Sequence, residues 1–167
     1  MPPAHGFQTV LGRNLVGELR NFVHRPFLVV TMEDLWPLFA AAFDGAECEP
    51  YFVRSVDEED LLRDLATLPD FAAVVGLGGG MAIDTAKYFA WRRRRPLFQV
   101  QTALSMNAAW GQRAGVRSNG VVRYVGWGAF AQAGHDNRTE HAHVPPMGAG
   151  PVAQHQGGSA IHLGRAA

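Results

Sequence analysis

The chain has 167 residues, 47% of them apolar, and its 15 basic residues balance 15 acidic ones. This length predicts one globular domain, and zero net charge excludes a global field that would attract nucleic acid or an anionic membrane. No stretch approaches the roughly 20 consecutive apolar residues that a membrane-spanning helix needs. One cysteine, Cys48 between two glutamates, and an N-terminus without a secretory signal predict an inert thiol and a cytoplasmic location.

The first predicted element is an amphipathic helix, because apolar residues recur at helical spacing from Leu11 to Val23. Beyond it, apolar runs suited to buried strands alternate with segments of helical periodicity. The predicted strands are residues 26–31, 50–55, 71–80 and 96–102, and the predicted helices are residues 33–43, 57–66 and 81–95. Pro37 should restrict the first of these helices to a start near Leu35. This alternation predicts an α/β fold, an open Rossmann-like parallel sheet of about four strands with flanking helices.

A β-hairpin is predicted next, over residues 114–126. Two short runs of β type flank Asn119 and Gly120, and an Asn-Gly pair at this spacing is the strongest short-range hairpin signal. After Trp127 large aliphatic residues become sparse and neither period persists. We therefore predict a nucleotide-binding domain over residues 1–127 and an irregular or disordered tail over residues 128–167.

The segment from Val74 to Lys87 carries the main functional signal. It joins a buried strand to a helix through three consecutive glycines, Gly78, Gly79 and Gly80. Glycines let the backbone approach a ligand closely, and the free N–H groups of a helix N-terminus attract anions. The pattern predicts a phosphate site. A tight turn without a ligand is the alternative interpretation, and a surface ion pair is the alternative role for Asp84 and Lys87.

Two motifs in this region resemble those of the iron-containing alcohol dehydrogenase and glycerol dehydrogenase superfamily, including glycerol-1-phosphate dehydrogenases and dehydroquinate-synthase-like enzymes. The segment GGGMAIDTAK at residues 78–87 is similar to the family's GGGxxxDxAK turn and helix, which holds the pyrophosphate of NAD(P). The segment QTALSMNA at residues 101–108 is similar to the family's PTxxSxDA segment after the next strand. The resemblance extends over residues 27–127.

The resemblance implies a cofactor site for NAD or NADP and a small polyol or polyol phosphate as substrate. Its cofactor-binding residues would be Gly78, Gly79, Gly80, Asp84, Thr102 and Ser105, with the last two hydroxyls near the nicotinamide. Asn107 stands where polyol dehydrogenases of the family have an aspartate, and it is a substrate-side candidate together with Lys87. Gln101 replaces the usual proline. These departures favour a less typical branch, such as the glycerol-1-phosphate type.

The choice between NAD and NADP stays open at the sequence level. The family's ribose-binding acid should follow the first strand, where this chain has Glu33 and Asp34 with an offset from the expected position. Glu33 is equally well explained as an acidic residue near a helix N-terminus.

The resemblance also implies a divalent metal (zinc, iron or nickel), which intact relatives hold in a helical C-terminal domain. That domain is expected to be absent, so we predict no metal site and doubtful dehydrogenase activity for this chain. Five of the seven histidines lie after residue 127, without a completing ligand set. Our hypothesis is that the tail is a shifted-frame or otherwise altered C-terminus. A missing strand would leave an open sheet edge, which predicts self-association.

Two other classes of function remain open. A non-catalytic phosphate or nucleic-acid-binding module is suggested by Trp91 and the arginines at residues 92–95. These cations also complement the dipole at a helix C-terminus, and Pro96 marks its end, so we do not expect nucleic acid to be the partner. The third reading is a regulatory remnant of a full-length dehydrogenase.

Overall fold

The fold is described here from a computed structural model, which covers residues 8–13, 15–103, 108–111, 113–126 and 158–164. The strands are β1 (Gln8–Arg13), β2 (Phe27–Thr31), β3 (Cys48–Phe52), β4 (Ala73–Gly78), β5 (Leu97–Gln101), β6 (Ala114–Ser118), β7 (Val121–Val125) and β8 (Gly158–Gly164). The α-helices are α1 (Leu19–Phe22), α2 (Trp36–Phe39), α3 (Glu58–Thr67) and α4 (Gly80–Arg93), and short 3-10 helices span Leu15–Glu18, Ala40–Phe43 and Ala108–Trp110.

Six strands form one sheet in the order β1-β8-β5-β4-β2-β3. Four adjacent strands, β5, β4, β2 and β3, are mutually parallel, which confirms the predicted open α/β sheet, and β3 forms its edge. Strand β2 is followed by β3 on one side and then by β4 on the other. The direction of winding therefore reverses between β2 and β4, and in open α/β sheets ligands collect outside the carboxyl ends of the strands at this point.

Both faces of the sheet are covered, which explains why its central strands are continuous apolar runs. Alternate residues of β2 belong to different cores. Leu28 and Val30 pack with α3, α4 and β6, whereas Phe27 and Val29 pack with the N-terminal helical segment and the Trp36 to Phe43 region. The result is a sheet between two helical layers.

Local chemistry explains where the helices begin and end. Asp57 caps α3 by accepting a hydrogen bond from the Glu59 N–H at 3.2 Å, and three acidic residues occupy the first turn of that helix. Helix α4 ends at Arg93, and its C-cap residue, Arg94, adopts the left-handed conformation with φ of 52°. Pro37 lies in the first turn of α2, so the predicted helix over 33–43 begins later and continues as a 3-10 turn.

The hairpin prediction is confirmed. Strands β6 and β7 pair antiparallel, and Asn119 and Gly120 both have positive φ, 52° and 75°. Two consecutive residues with positive φ are the mark of a two-residue turn whose twist matches that of the paired strands.

Three expectations about the ends of the chain are wrong. The predicted N-terminal helix is confined to residues 15–22, because residues 8–13 form β1. Residues 158–164, expected to be irregular, form β8 between β1 and β5. The sheet edge beside β5 is consequently paired, not open. The histidines at 135, 141, 143 and 155 lie outside the described residues.

Candidate dinucleotide site

The glycine turn lies at the point where the winding of the sheet reverses. Gly78 is the last residue of β4, and Gly79 and Gly80 lead into α4. The loop that follows β5 joins the same edge, since the Thr102 N–H donates to the Gly78 carbonyl at 3.1 Å. Leu35, from the turn after β2, closes the other side, 3.5 Å from where a Cβ on Gly78 would lie. The carboxyl ends of β2, β4 and β5 thus border one crevice.

Gly78 and Gly79 are glycines for different reasons. Gly78 has φ of 149°, and a Cβ there would meet the Ala82 Cβ at 2.9 Å, so the fold itself requires glycine. Gly79 has φ of −89° and ψ of −162°, an ordinary extended conformation. A Cβ on Gly79 would touch only the Ala103 Cβ, at 3.8 Å. Packing within the described residues therefore does not explain glycine at position 79.

The N-terminus of α4 has no side-chain cap. Gly79 is the N-cap residue and makes no side-chain hydrogen bond, while the first intrahelical bond runs from the Ile83 N–H to the Gly79 carbonyl at 3.0 Å. The N–H groups at the start of a helix have no intrahelical acceptor and carry the positive end of the helix dipole. An anion beside Gly79 would satisfy them.

Lys87 is buried and Asp84 is partly buried, with 23% of its side chain exposed. The Lys87 side chain is 1% exposed, and its ammonium lies 3.3 Å from Asp84 Oδ1. Burial lowers the pKa of Lys87, partly offset by the charge of Asp84, and burial raises the pKa of Asp84. The pair therefore differs from the exposed ion pair considered from the sequence. Lys87 faces Ala108 and Arg113, and Asp84 faces Gly115, on the flank of α4.

The remaining sequence candidates are divided between described and undescribed residues. Thr102 is exposed beside the glycine turn. Gln101, in place of the family's proline, donates from its amide to the Ala103 carbonyl at 2.6 Å. Ser105 and Asn107 lie outside the described residues. Glu33 and Asp34 are exposed in the turn after β2.

A metal site is not formed by the described residues, which contain no group of three His, Cys, Asp or Glu side chains close enough to hold an ion. The ligand set implied by the resemblance has no counterpart in this part of the chain. We therefore derive no metal-assisted step from these residues.

The arginines at the end of α4 contact the protein itself. Arg93 donates to the Leu65 carbonyl at 2.8 Å, Arg95 pairs with Asp70 at 3.0 Å, and Arg92 lies over aromatic rings of its own helix. Three of the four arginines in this run therefore have partners within the chain. In the described ranges, no helix is both long and apolar enough to cross a membrane.

A separate cavity of about 300 Å³ lies at the opposite edge of the sheet, at the amino ends of β2 and β3. Apolar residues such as Phe27 and Phe71 line it together with carboxylates and Cys48. Burial, and secondarily Glu49, raise the pKa of the Cys48 thiol, as expected for an inert cysteine. We place the candidate site at the glycine turn, because the cavity lies at the amino ends of the strands, away from the edge where ligands of open α/β sheets collect.

The fold and this turn define the class as a Rossmann-like α/β domain with a glycine-rich turn between strand and helix. Comparison with known sequences identifies the family. Residues 36–124, just over half of the chain, match the family described as iron-containing alcohol dehydrogenase, and the chain belongs to that family.

The chain is also similar to a glycerol-1-phosphate dehydrogenase [NAD(P)+] from Thermofilum pendens (strain DSM 2475 / Hrk 5), with 32% identity over 84 residues. That alignment covers 47% of this chain and 24% of the relative. The chain thus matches about a quarter of this relative's length.

Solved structures confirm the fold. A probable glycerol dehydrogenase from Sinorhizobium meliloti 1021 superposes with a TM-score of 0.59 at 19% identity, over 66% of this chain and 33% of that one. A maleylacetate reductase from Agrobacterium tumefaciens superposes with a TM-score of 0.60 at 16% identity, over 70% of this chain and 36% of that one. A glycerol dehydrogenase from Schizosaccharomyces pombe superposes with a TM-score of 0.57 at 18% identity, over 68% of this chain and 32% of that one.

Proposed function

We propose that the chain binds NAD or NADP through the Gly78–Gly79–Gly80 turn, as the dinucleotide-binding part of a glycerol-1-phosphate or polyol dehydrogenase-like oxidoreductase. The observation that carries this proposal is Gly79, whose missing side chain is not required by packing among the described residues. The uncapped start of α4 and the position of the turn at the reversal of winding support it.

In this proposal the backbone N–H groups around Gly79 and Gly80 bind the pyrophosphate. The Thr102 and Ser105 hydroxyls lie near the nicotinamide, and Asn107 contacts a hydroxyl of a polyol or polyol phosphate. Asp84 acts indirectly, since it is bonded to Lys87 and the Gly115 backbone. A complete hydride transfer, with a divalent metal that polarises the substrate hydroxyl, needs groups outside the described residues.

Titration with NADH and NADPH, followed by cofactor fluorescence, tests the proposal. The variant is Gly79→Asp, because aspartate suits the N-cap position sterically and chemically while its charge repels a phosphate. The fluorescence change of the wild-type protein should saturate as the cofactor is added. The variant should bind at least about tenfold more weakly and remain equally stable, since a charge-assisted hydrogen bond contributes about 1.5–3 kcal/mol.

The matched control is Gly17→Asp, which adds the same charge at a glycine in the helical layer on the other face, where a Cβ would meet nothing within 4 Å. This variant should bind the cofactor like wild type. A folded wild type that does not bind either cofactor, or equal affinities in all three proteins, would show that the turn is not a dinucleotide site.

A further inference from the structure

Lys87 is the single lysine of the chain, beside fourteen arginines. The arginines described here that serve as surface cations are at least partly exposed, whereas the Lys87 side chain is 1% exposed. Lysine and arginine differ in shape: the ammonium is a compact group with three donors, and the guanidinium is a wide planar fork. The presence of the single lysine at a buried position therefore calls for a structural reason.

Three oxygens surround the Lys87 ammonium. They are Asp84 Oδ1 at 3.3 Å, the Arg113 carbonyl at 3.2 Å and the Ala108 carbonyl in a short contact. Three N–H donors therefore meet three acceptors. Two of these acceptors are backbone groups on a segment more than 20 residues further along the chain, so Lys87 joins α4 to that segment.

Asp84 also binds the backbone of this segment. Its carboxylate accepts a hydrogen bond from the Gly115 backbone, and a Cβ on Gly115 would lie 3.0 Å from Asp84 Oδ2. Gly111 also approaches closely, with the position of its Cβ 3.5 Å from the ammonium. One face of α4 is thus fitted to the backbone of residues 108–115.

The hydrogen bonds of Lys87 and Asp84 hold the C-terminal end of the loop after β5. Other hydrogen bonds hold the beginning of this loop. The buried Gln99 amide donates to the Ala109 carbonyl at 3.1 Å, next to the Lys87 anchor. At the beginning, Thr102 bonds to Gly78 and Gln101 bonds to Ala103. Both ends of the loop are therefore tied to the strands and helix that form the glycine turn. Residues 104–107 lie between the two ends.

We infer that Lys87 is a positioning residue, which fixes residues 108–111 and Arg113 relative to the glycine turn through the Ala108 and Arg113 carbonyls. It acts on ligand binding through that loop and does not touch the dinucleotide. The link to ligand binding rests on the proposed function, whereas the fixing of the loop is independent of it. This role replaces the substrate-side role suggested for Lys87 by the sequence.

Hydrogen exchange read by mass spectrometry tests the fixing of the loop without any cofactor. Lys87→Met removes all three bonds, and Gly115→Ala disturbs the same anchor more gently by crowding Asp84, which keeps the test decisive if Lys87→Met does not fold. Amides of residues 108–113 should exchange about tenfold faster in Lys87→Met and by a smaller factor in Gly115→Ala, as expected for loss of charge-assisted hydrogen bonds.

The matched control is Tyr88→Phe, which removes a hydrogen bond to Glu58 from the adjacent position of the same helix. It should leave exchange in residues 108–113 within about twofold of wild type. Unchanged exchange in the Lys87→Met and Gly115→Ala variants that fold, or equal loosening in Tyr88→Phe, would overturn the inference. In Lys87→Arg the same amides should still exchange faster than in wild type. Wild-type exchange rates in this variant would show that a compact ammonium is not needed.

The NADH titration adds the second readout. The dissociation constant should rise about tenfold in Lys87→Met and stay within about twofold of wild type in Tyr88→Phe, a difference that a general loss of helix stability would not produce. If wild type does not bind NADH, the proposed function fails, and hydrogen exchange alone decides whether Lys87 fixes the loop. If hydrogen exchange is faster in Lys87→Met but its dissociation constant for NADH is unchanged, Lys87 does not act on ligand binding.

Discussion

The consecutive glycines before α4 differ in what the backbone demands of them. Gly78 combines φ of 149° with a tight approach to Ala82, whereas Gly79 has an ordinary conformation and free space for a methyl group. Stability should therefore depend on Gly78, and ligand binding on Gly79. The sequence marks the three glycines as one motif, and only the backbone geometry separates these roles.

Gly78→Ala should lower the free energy of unfolding by roughly 1–3 kcal/mol, because alanine strains the backbone there and its Cβ would lie 2.9 Å from the Ala82 Cβ. Gly79→Ala should leave stability nearly unchanged. Urea unfolding of the two variants beside wild type measures the difference. Equal losses in both variants would contradict the distinction between these glycines.

At the scale of elements, Tyr88 joins α4 to α3. Its hydroxyl donates to Glu58 Oε1 at 3.1 Å, and Glu58 also lies 3.6 Å from Arg123 of β7. Burial first, and then the negative charge of Glu58, raise the pKa of Tyr88 from 10.0 to about 12. The fold thus favours the neutral phenol, and the contact between the two helices depends on pH.

Because the pKa of Tyr88 is higher in the folded state, its stabilising contribution is complete below pH 10 and is lost as the pH rises to about 12. The stability of Tyr88→Phe should fall less steeply than that of wild type in this window. Urea unfolding at a series of alkaline pH values tests this, and Tyr51 titrates alike in both proteins. Identical slopes would exclude the assigned role of Tyr88.

The elements also show which sequence signals are reliable: local turn chemistry succeeded at the hairpin, whereas helical periodicity failed at the N-terminal segment. The hairpin was predicted correctly because Asn119 and Gly120 encode positive φ locally. The N-terminal segment was predicted as one helix, yet residues 8–13 are a strand paired with β8. That pairing is a long-range contact, and helical spacing of apolar residues in one segment carries no information about a distant partner.

At the scale of the whole molecule, β8 completes the sheet on the side of β5. It pairs antiparallel with β5 and with β1, and so joins the end of the described chain to its beginning. The sequence analysis expected this edge to be open. The glycine and alanine-rich tail has weak strand propensity, so the pairing depends on the neighbouring strands.

A chain shortened after residue 157 should self-associate, because it loses β8, exposes the β5 edge and leaves β1 without its partner in the sheet. The control is a chain shortened after residue 164, which keeps β8 and should behave like wild type. Light scattering coupled to size exclusion measures both masses. A monomeric, cooperatively folding chain without β8 would mean that this strand does not protect the edge.

Family membership and the fold are shown over only part of the length of the relatives. The chain matches 24% of the length of the glycerol-1-phosphate dehydrogenase and about a third of the solved structures. Dinucleotide binding is the function that we propose for the part of the family that this chain matches.

The sequence by itself determined the alternation of strands and helices, the hairpin and the glycine turn, because each depends on local periodicity or on backbone conformations that particular residues favour. Tertiary structure alone decided the burial of Lys87, its hydrogen bonds to the Ala108 and Arg113 carbonyls and the pairing of β8. These features join residues far apart in the chain. Their energies arise from desolvation and from partners that meet only after folding, which a linear pattern does not encode.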